Sequence, residues 1–523
     1  MRKQPWGLLG SFAVPLLGGC LLLSCSKDRI RGDKEPAPVL PLGPSTLRET
    51  RTPRTVAPGV TYTRIERGQA SSEAVYTVDV AFKVDPNEAE SIASKLRVEG
   101  HSARVETVSK RAPDAPGSGP IGYLVRAGSF ATVEEANALR ERLVTAGYTG
   151  LRSVYTGEDG AETTGPWTVH VLEIDPSVHK GSVAPALGTD IGPERETLSS
   201  LSRRKGALAG ITGGYFVMGA VDGTPGDMAG ISVINGKLVS EAVDGRTALI
   251  LPPGSGQGAW VASIRDTVTA SSSDGAMRGV DGLNRKPGFI RSCGGEGDEP
   301  ADLPKHDFTC TDASEVILFT PMFGTATEPG PGLEVVLDAS GRVTELRESR
   351  GGSIPPDGSV LSATGDAVDW LRAHAKPGMT VQVAVNISAE GAALPAGAGV
   401  VNGGPRLLRA GAPEITAYAE GFVWPDNPEL YYRFGVRRNP RTLAGVTAQG
   451  KLLLVVVDGR QPGYSVGASF EESALIMQSL GAQQAVNLDG GGSSAVTLSG
   501  ELINRPSDAT GERPLGDAIL VLP

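Results

Sequence analysis

The stretch LLLVVVDGRQPGYSVGAS, residues 452–469, decides the fold. Every residue from Leu452 to Val457 is aliphatic, and the run ends at once in Asp458-Gly459-Arg460. A run this short, bounded by turn residues, reads as a strand buried on both faces. The same texture recurs on either side in WTVHVLEID (167–175), ALIL (248–251), VILF (316–319), LEVVLD (333–338) and VQVAVNI (381–387). Helical periodicity is confined to 366–374 and 470–480, where Ala474, Leu475, Met477 and Leu480 share a face. Residues 165–523 are therefore expected to form a β-rich, mixed α+β domain.

Three strand ends in this domain share one device. Asp458-Gly459-Arg460 follows the first strand; Asp489-Gly490-Gly491-Gly492-Ser493-Ser494 follows AVNL; Asn402-Gly403-Gly404 follows GVV. Each opens into glycine with a carboxylate or amide at the lip. Glycine lets backbone N–H groups approach a ligand, and successive N–H groups can form an anion nest. A single Asp-Gly is usually only a turn. Three consecutive glycines are costly in chain entropy, and a turn needs only one, so the 489–494 loop points to function. Arg441 and Arg460 offer planar, bidentate donors for a phosphate. Asp489 is the first choice for a base or nucleophile and Asp458 the second, while Asn402 and Asn487 suit sugar hydroxyls or carboxylate orientation.

Composition narrows the partners. Of 523 residues 70 are glycine, about twice the usual share, which suits a loop-rich fold. The net charge of −10 argues against a nucleic-acid binder. Five histidines and four cysteines leave little for a zinc site. No cofactor is required by the sequence; calcium is compatible with the oxygen-rich loops, and nothing demands it.

The N-terminus reads as an export signal over residues 1–25. Arg2 and Lys3 precede an apolar run from Trp6 to Leu23, interrupted by Pro15, Gly18 and Gly19, before a charged stretch. The end resembles a bacterial lipoprotein signal, in which a cysteine becomes the lipidated first residue. Cys20 has the better small residues before it, and Cys25, where the chain turns polar, is preferred. An ordinary cleaved signal or an uncleaved anchor is the competing reading. All place the mature chain outside the cytoplasm, where Cys293 and Cys310 are expected to pair as a disulfide.

Residues 26–72, rich in Pro, Arg, Thr and Glu, are expected to be a disordered linker. Over 73–157 one pattern occurs twice. Tyr76, Val78, Val80 and Phe82 alternate; Ala89, Ile92, Ala93 and Leu96 share a helix face closed by Gly100; Ala103 to Val108 alternate again. Tyr123, Val125 and Ala127, then Ala136, Leu139 and Leu143, then Leu151 to Tyr155 repeat it. This predicts a ferredoxin-like β-α-β-β-α-β domain.

YLVRAGSFATVEEANALRERLVTAGY (123–148) resembles the sporulation-related repeat (SPOR) domain, which implies binding to peptidoglycan glycan strands. The larger domain resembles the phosphodiester glycosidase family through GGYF (213–216), GLNRKPG (282–288), NGGPRLL (402–408), NPRTLAGVTAQGKLLLVVVDGR (439–460), LGAQQAVNLDGGGSSAV (480–496) and NRPSDATGERPL (504–515). The matches keep family order over more than 300 residues. The resemblance implies hydrolysis of glycosyl-1-phosphodiesters, such as N-acetylglucosamine-1-phosphodiester, in a cell-envelope glycan. It carries over Asn402, Arg441, Asp458, Arg460, Asn487, Asp489, Gly491 and Ser493 as active-site candidates. One departure is Thr212, where the family more often has asparagine; if that asparagine touches substrate, specificity here differs. Two rivals stand beside this reading: a phosphodiesterase cutting P–O, and a non-catalytic carbohydrate-binding envelope protein.

Overall fold

A computed structural model describes residues 38–293 and 303–523. The signal segment, with Cys20 and Cys25, lies outside the described residues. Leu452–Val457 is the central strand that its sequence implies. Trp167–Ile174 and Arg441–Thr447 flank it in antiparallel register, and Ala482–Asn487 pairs with the latter. They belong to an eight-stranded sheet, which packs its Leu454 and Val456 face against a second eight-stranded sheet and a five-stranded one. Its other face carries the helix Phe470–Ser479. Ser469 and Glu472 cap that helix reciprocally. The domain is β-rich and α+β.

The expected linker differs. Glu49–Ala57 and Val60–Arg67 form a hairpin whose second strand pairs along Trp167–Ile174. The sequence hides this because threonine and arginine alternate with so few apolar residues. Val60 and Ile65 nevertheless reach the core, and buried Arg67 donates to the carbonyls of Leu42, Pro44 and Leu47. The large domain therefore begins well before residue 165: the chain joins its sheet, leaves for the small domain, and returns at Trp167.

The small domain has the order strand 76–83, helix 86–98, strand 103–108, strand 122–130, helix 133–145, strand 152–155. Its four strands form one antiparallel sheet, with 122–130 and 76–83 in the middle. Asp85 and Thr132 cap the two helices, and Ala89, Ala93, Leu96, Ala136, Leu139 and Leu143 pack onto one face of the sheet.

Cys293 and Cys310 form a disulfide, as expected. No described helix is long and apolar enough to cross a membrane.

Candidate active site

The antiparallel register of the central sheet carries the ends of several chain segments to one place. Arg441 begins its strand opposite Val457, so it stands beside Asp458; Asn487 ends the next strand opposite Leu443. Asp489 follows, held by its amide bonded to the Gly213 carbonyl, and Gly491 donates to Pro440. Three of the quoted motifs, 213–216, 439–460 and 480–496, thus meet.

Asp489 is half-buried at this lip. Burial raises its carboxyl to about 6, while Ser493, Arg513 and the Gly490 amide favour the ionised form. Behind it lies Asp517, fully buried, whose Oδ1 accepts the Gly214 amide at 2.7 Å and whose Oδ2 has no partner. Burial, then the Asp489 charge, hold Asp517 up at about 7. Sequence reasoning missed Asp517 because it opens an ordinary-looking strand, DAILVL, rather than ending one in a glycine loop.

Asp458 is placed differently. Its carboxylate accepts from Tyr464 Oη at 2.8 Å, Asn504 Nδ2 at 2.9 Å and the Arg505 amide at 3.2 Å, and meets His170 Nε2 at 3.0 Å. The carboxylate is buried, with four partners within hydrogen-bond reach. Asn402 is engaged by the backbone: its Oδ1 accepts the Tyr215 amide and its Nδ2 reaches the Tyr215 carbonyl. Asn487 donates to Tyr215 Oη at 2.7 Å and to the Gly404 carbonyl, leaving its buried Oδ1 without a partner. Gly403 packs against the Asn487 carbonyl, too close for a side chain.

The 489–494 loop does not form the open nest its glycines suggest. It turns through a 3-10 helix, Gly491–Ser493, in which the Ser493 and Ser494 amides return to the carbonyls of Gly490 and Gly491. Gly491 has φ +59°. A side chain at Gly492 would overlap the Asp508–Arg513 ion pair. The loop is built of glycine for turning and close packing. Ser493 Oγ receives Arg513 Nη1 at 3.3 Å, whereas the buried Ser494 Oγ has no partner. Thr212 is also a fastener here, accepting the Ala495 amide and donating to the Ser493 carbonyl. It faces the loop from behind.

The arginines remain. Arg441 is buried, donates to the carbonyls of Ala468 and Phe434, and lies 4.5 Å from the Phe470 ring. It makes no salt bridge among the described residues, and burial lowers it to about 10. Arg460, at φ +57°, reaches Asn439 Oδ1 and packs on Gly491. Arg246, which the sequence did not single out, is buried with Nε and Nη1 unpartnered and is likewise lowered to about 10. His306 stacks on Phe422 at 4.4 Å and meets Tyr215 edge-on at 4.5 Å. Burial and Arg246 push the His306 imidazole well down. Buried arginines that make no salt bridge among the described residues, with unpartnered donors, make a place for an anion. Among the described residues no group of three His, Cys, Asp or Glu side chains is gathered to hold a metal ion.

This convergence of motifs has relatives. The phosphodiester glycosidase family matches residues 332–522 and the SPOR domain family residues 72–152. A solved structure from Burkholderia pseudomallei, described as an exported protein, is 36% identical over 93% of this chain and 99% of its own, with a TM-score of 0.85. The chain carries a phosphodiester glycosidase domain and a SPOR domain. A hypothetical protein from Synechocystis shares the fold at 18% identity and a TM-score of 0.53, over 91% of this chain and 79% of its own. The zebrafish N-acetylglucosamine-1-phosphodiester alpha-N-acetylglucosaminidase catalytic domain aligns at 15% identity over 80% of this chain and 88% of its own; its TM-score of 0.34 carries no argument. No functionally curated protein matches the chain significantly.

Proposed function

We propose that this protein is a cell-envelope glycosidase that hydrolyses the sugar–oxygen bond of glycosyl-1-phosphodiesters. The observation that carries this reading is Asp489, a half-buried carboxyl raised to about 6, whose charge acts on Tyr215 together with those of the buried Arg441 and Arg246. A glycosyl phosphate has a stable anionic leaving group, so the site needs anion binding, stabilisation of positive charge at the anomeric carbon, and water. Arg441, Arg460 and Arg246 would hold the phosphodiester, since the Gly491, Ser493 and Ser494 amides are already engaged by carbonyls. Asp489 would take the proton of an attacking water, or attack C1 itself and be released by water. The C1–O bond breaks, its electron pair leaves with the phosphomonoester, and the sugar gains the hydroxyl. Asp458 would position the strand end, and Asn402 and Asn487 would hold Tyr215 beneath the sugar. Any calcium would have to be held by scattered oxygens, and no step depends on it.

The family of the large domain, the SPOR match and the exported relative support an envelope location. The small domain's order and pairing suit the ferredoxin-like arrangement and binding to peptidoglycan glycan strands. Lipidation of Cys25, rather than Cys20, would tether the chain to a membrane. Hydrolysis in heavy-oxygen water tests the reaction: label at C1 of the sugar is expected, and label in the phosphate would establish P–O cleavage instead.

A further inference from the structure

Both faces of the small domain's sheet are covered. Its helices take one face. On the other, Leu124, Val108 and Tyr155 share a core with Tyr431, Tyr432 and Val436 of the large domain. Polar contacts lock the two together. Buried Arg126 pairs with Asp79 at 2.9 Å and with Asp159, and donates to Tyr432 Oη at 3.2 Å; Arg433 reaches Asp79 at 3.1 Å. A pair of domains joined this way is one body, so whatever opening lies along the seam has permanent walls.

Such an opening exists. A cavity of about 830 Å³ runs along the seam, with Tyr76 and the strand Arg152–Tyr155 on one side and Phe434, Asn439 and Arg460 on the other. Its size suits several sugar rings. Its lining has five arginines against two glutamates, Glu158 and Glu429. Arg433, Arg437 and Arg438 are ion-paired. Arg152 and Arg460 make no salt bridge among the described residues and are left to meet an anion. Tyr76, Tyr155 and Phe434 add aromatic surface, a usual partner of sugar rings. Arg460 also packs on Gly491, two residues from Asp489, so the cavity ends where the candidate chemistry begins.

We infer that this seam cavity is the subsite for the chain beyond the scissile phosphate, and that its occupant is an anionic glycan gripped by both domains. The inference rests on the proposed reaction for its direction, but not for its existence. The small domain thereby acts as one wall of the substrate cleft.

The test uses the full chain and Arg152→Glu, a change at an exposed residue of the small domain. Two substrates share a glycosyl-1-phosphate and differ in aglycone: methyl, or an anionic oligosaccharide. Arg152→Glu should raise KM at least tenfold for the long substrate and leave the short one unchanged. An equal effect on both, or none on the long one, overturns the subsite. Calorimetry reads it without turnover, using a phosphate-bearing and a carboxylate-bearing oligosaccharide as separate probes. Binding of either by wild type, lost in Arg152→Glu and in Val133→Trp, which narrows the cavity at another residue of its lining, supports the subsite even where nothing is hydrolysed, and tells which anion it takes. No binding of either probe by wild type overturns it.

Discussion

His170 Nε2 lies 3.0 Å from the carboxylate of Asp458, and His170 Nδ1 lies 2.9 Å from Tyr62 Oη. This line of contacts runs from a hairpin that resembles a linker in sequence to the end of the central strand. It separates the roles of the two aspartates. Asp489→Asn is expected to lower kcat by at least a thousandfold with little change in Tm, because burial already penalises its charge. Asp458→Asn should act the other way round, lowering Tm through broken buried contacts worth about 1–3 kcal/mol and lowering kcat far less. Tyr62→Phe should cost about 1 kcal/mol. Equal loss of turnover in both aspartate variants, at equal Tm, would return Asp458 to the reacting atoms.

The pH dependence follows from the two raised carboxyls. A base must be ionised, so log kcat/KM should climb with pH and level off above about 6, the value for Asp489. Stability runs in the opposite direction. Both groups hold protons more tightly folded than unfolded, where an aspartate titrates near 3.9. Their contribution is complete below that value and is lost as pH rises through about 6 for Asp489 and about 7 for Asp517. Melting curves of wild type and Asp517→Asn between pH 4 and 8 should show the slope flattened in the variant. An unchanged slope would show that Asp517 does not titrate in this range.

Arg246 offers a sharper test of anion binding than Arg441: it gives one donor to a carbonyl, that of Glu420 at 3.0 Å, where Arg441 gives two, and it keeps two donors unpartnered. Two unpartnered buried donors are a standing cost to the free protein. Arg246→Met should therefore leave Tm of the free protein unchanged or slightly raised. Inorganic phosphate should raise the Tm of wild type by several degrees and leave this variant unmoved. A variant still stabilised by phosphate to the full extent would remove Arg246 from the site.

Much of this was legible in the sequence, where local pattern and tertiary need agree. The unbroken run Leu452–Val457 needed no context to be a central strand, and the capped helices Pro86–Val98 and Phe470–Ser479 carried their own start signals. Asp489, Arg441 and Arg460 stand out in the sequence because glycine or arginine marks the strand ends that bear them. What was hidden depends on contacts distant in the chain. The hairpin Glu49–Arg67 is a strand pair only because Trp167–Ile174 lies beside it. Arg246 and Asp517 owe their character to burial, which neither DGRTAL nor GDAILVL announces.

The glycine triplet was legible as special but for another reason than the one its composition suggests. Each glycine answers a separate geometric demand. Gly490 sits against the Pro440 carbonyl, Gly491 turns through φ +59°, and Gly492 gives way to the Asp508–Arg513 pair. The last is the most informative. Arg513 holds both Asp508 oxygens and also reaches Ser493 Oγ, so a methyl group at residue 492 displaces a guanidinium that supports the Asp489 loop. Gly492→Ala is then a test of position at constant chemistry, since no ionisable or hydrogen-bonding group is removed. It should lower kcat/KM by at least tenfold while phosphate still stabilises the protein, because Arg441, Arg460 and Arg246 are untouched. Gly490→Ala, whose nearest neighbour is the Pro440 carbonyl at 2.8 Å, should disturb the backbone itself and lower Tm as well. Were the triplet an anion nest built from its amides, Gly492→Ala would abolish the phosphate-induced rise in Tm along with turnover. Thermal shift with and without phosphate, read beside kcat/KM, therefore distinguishes a loop that grips the anion from a loop that aims the carboxylate.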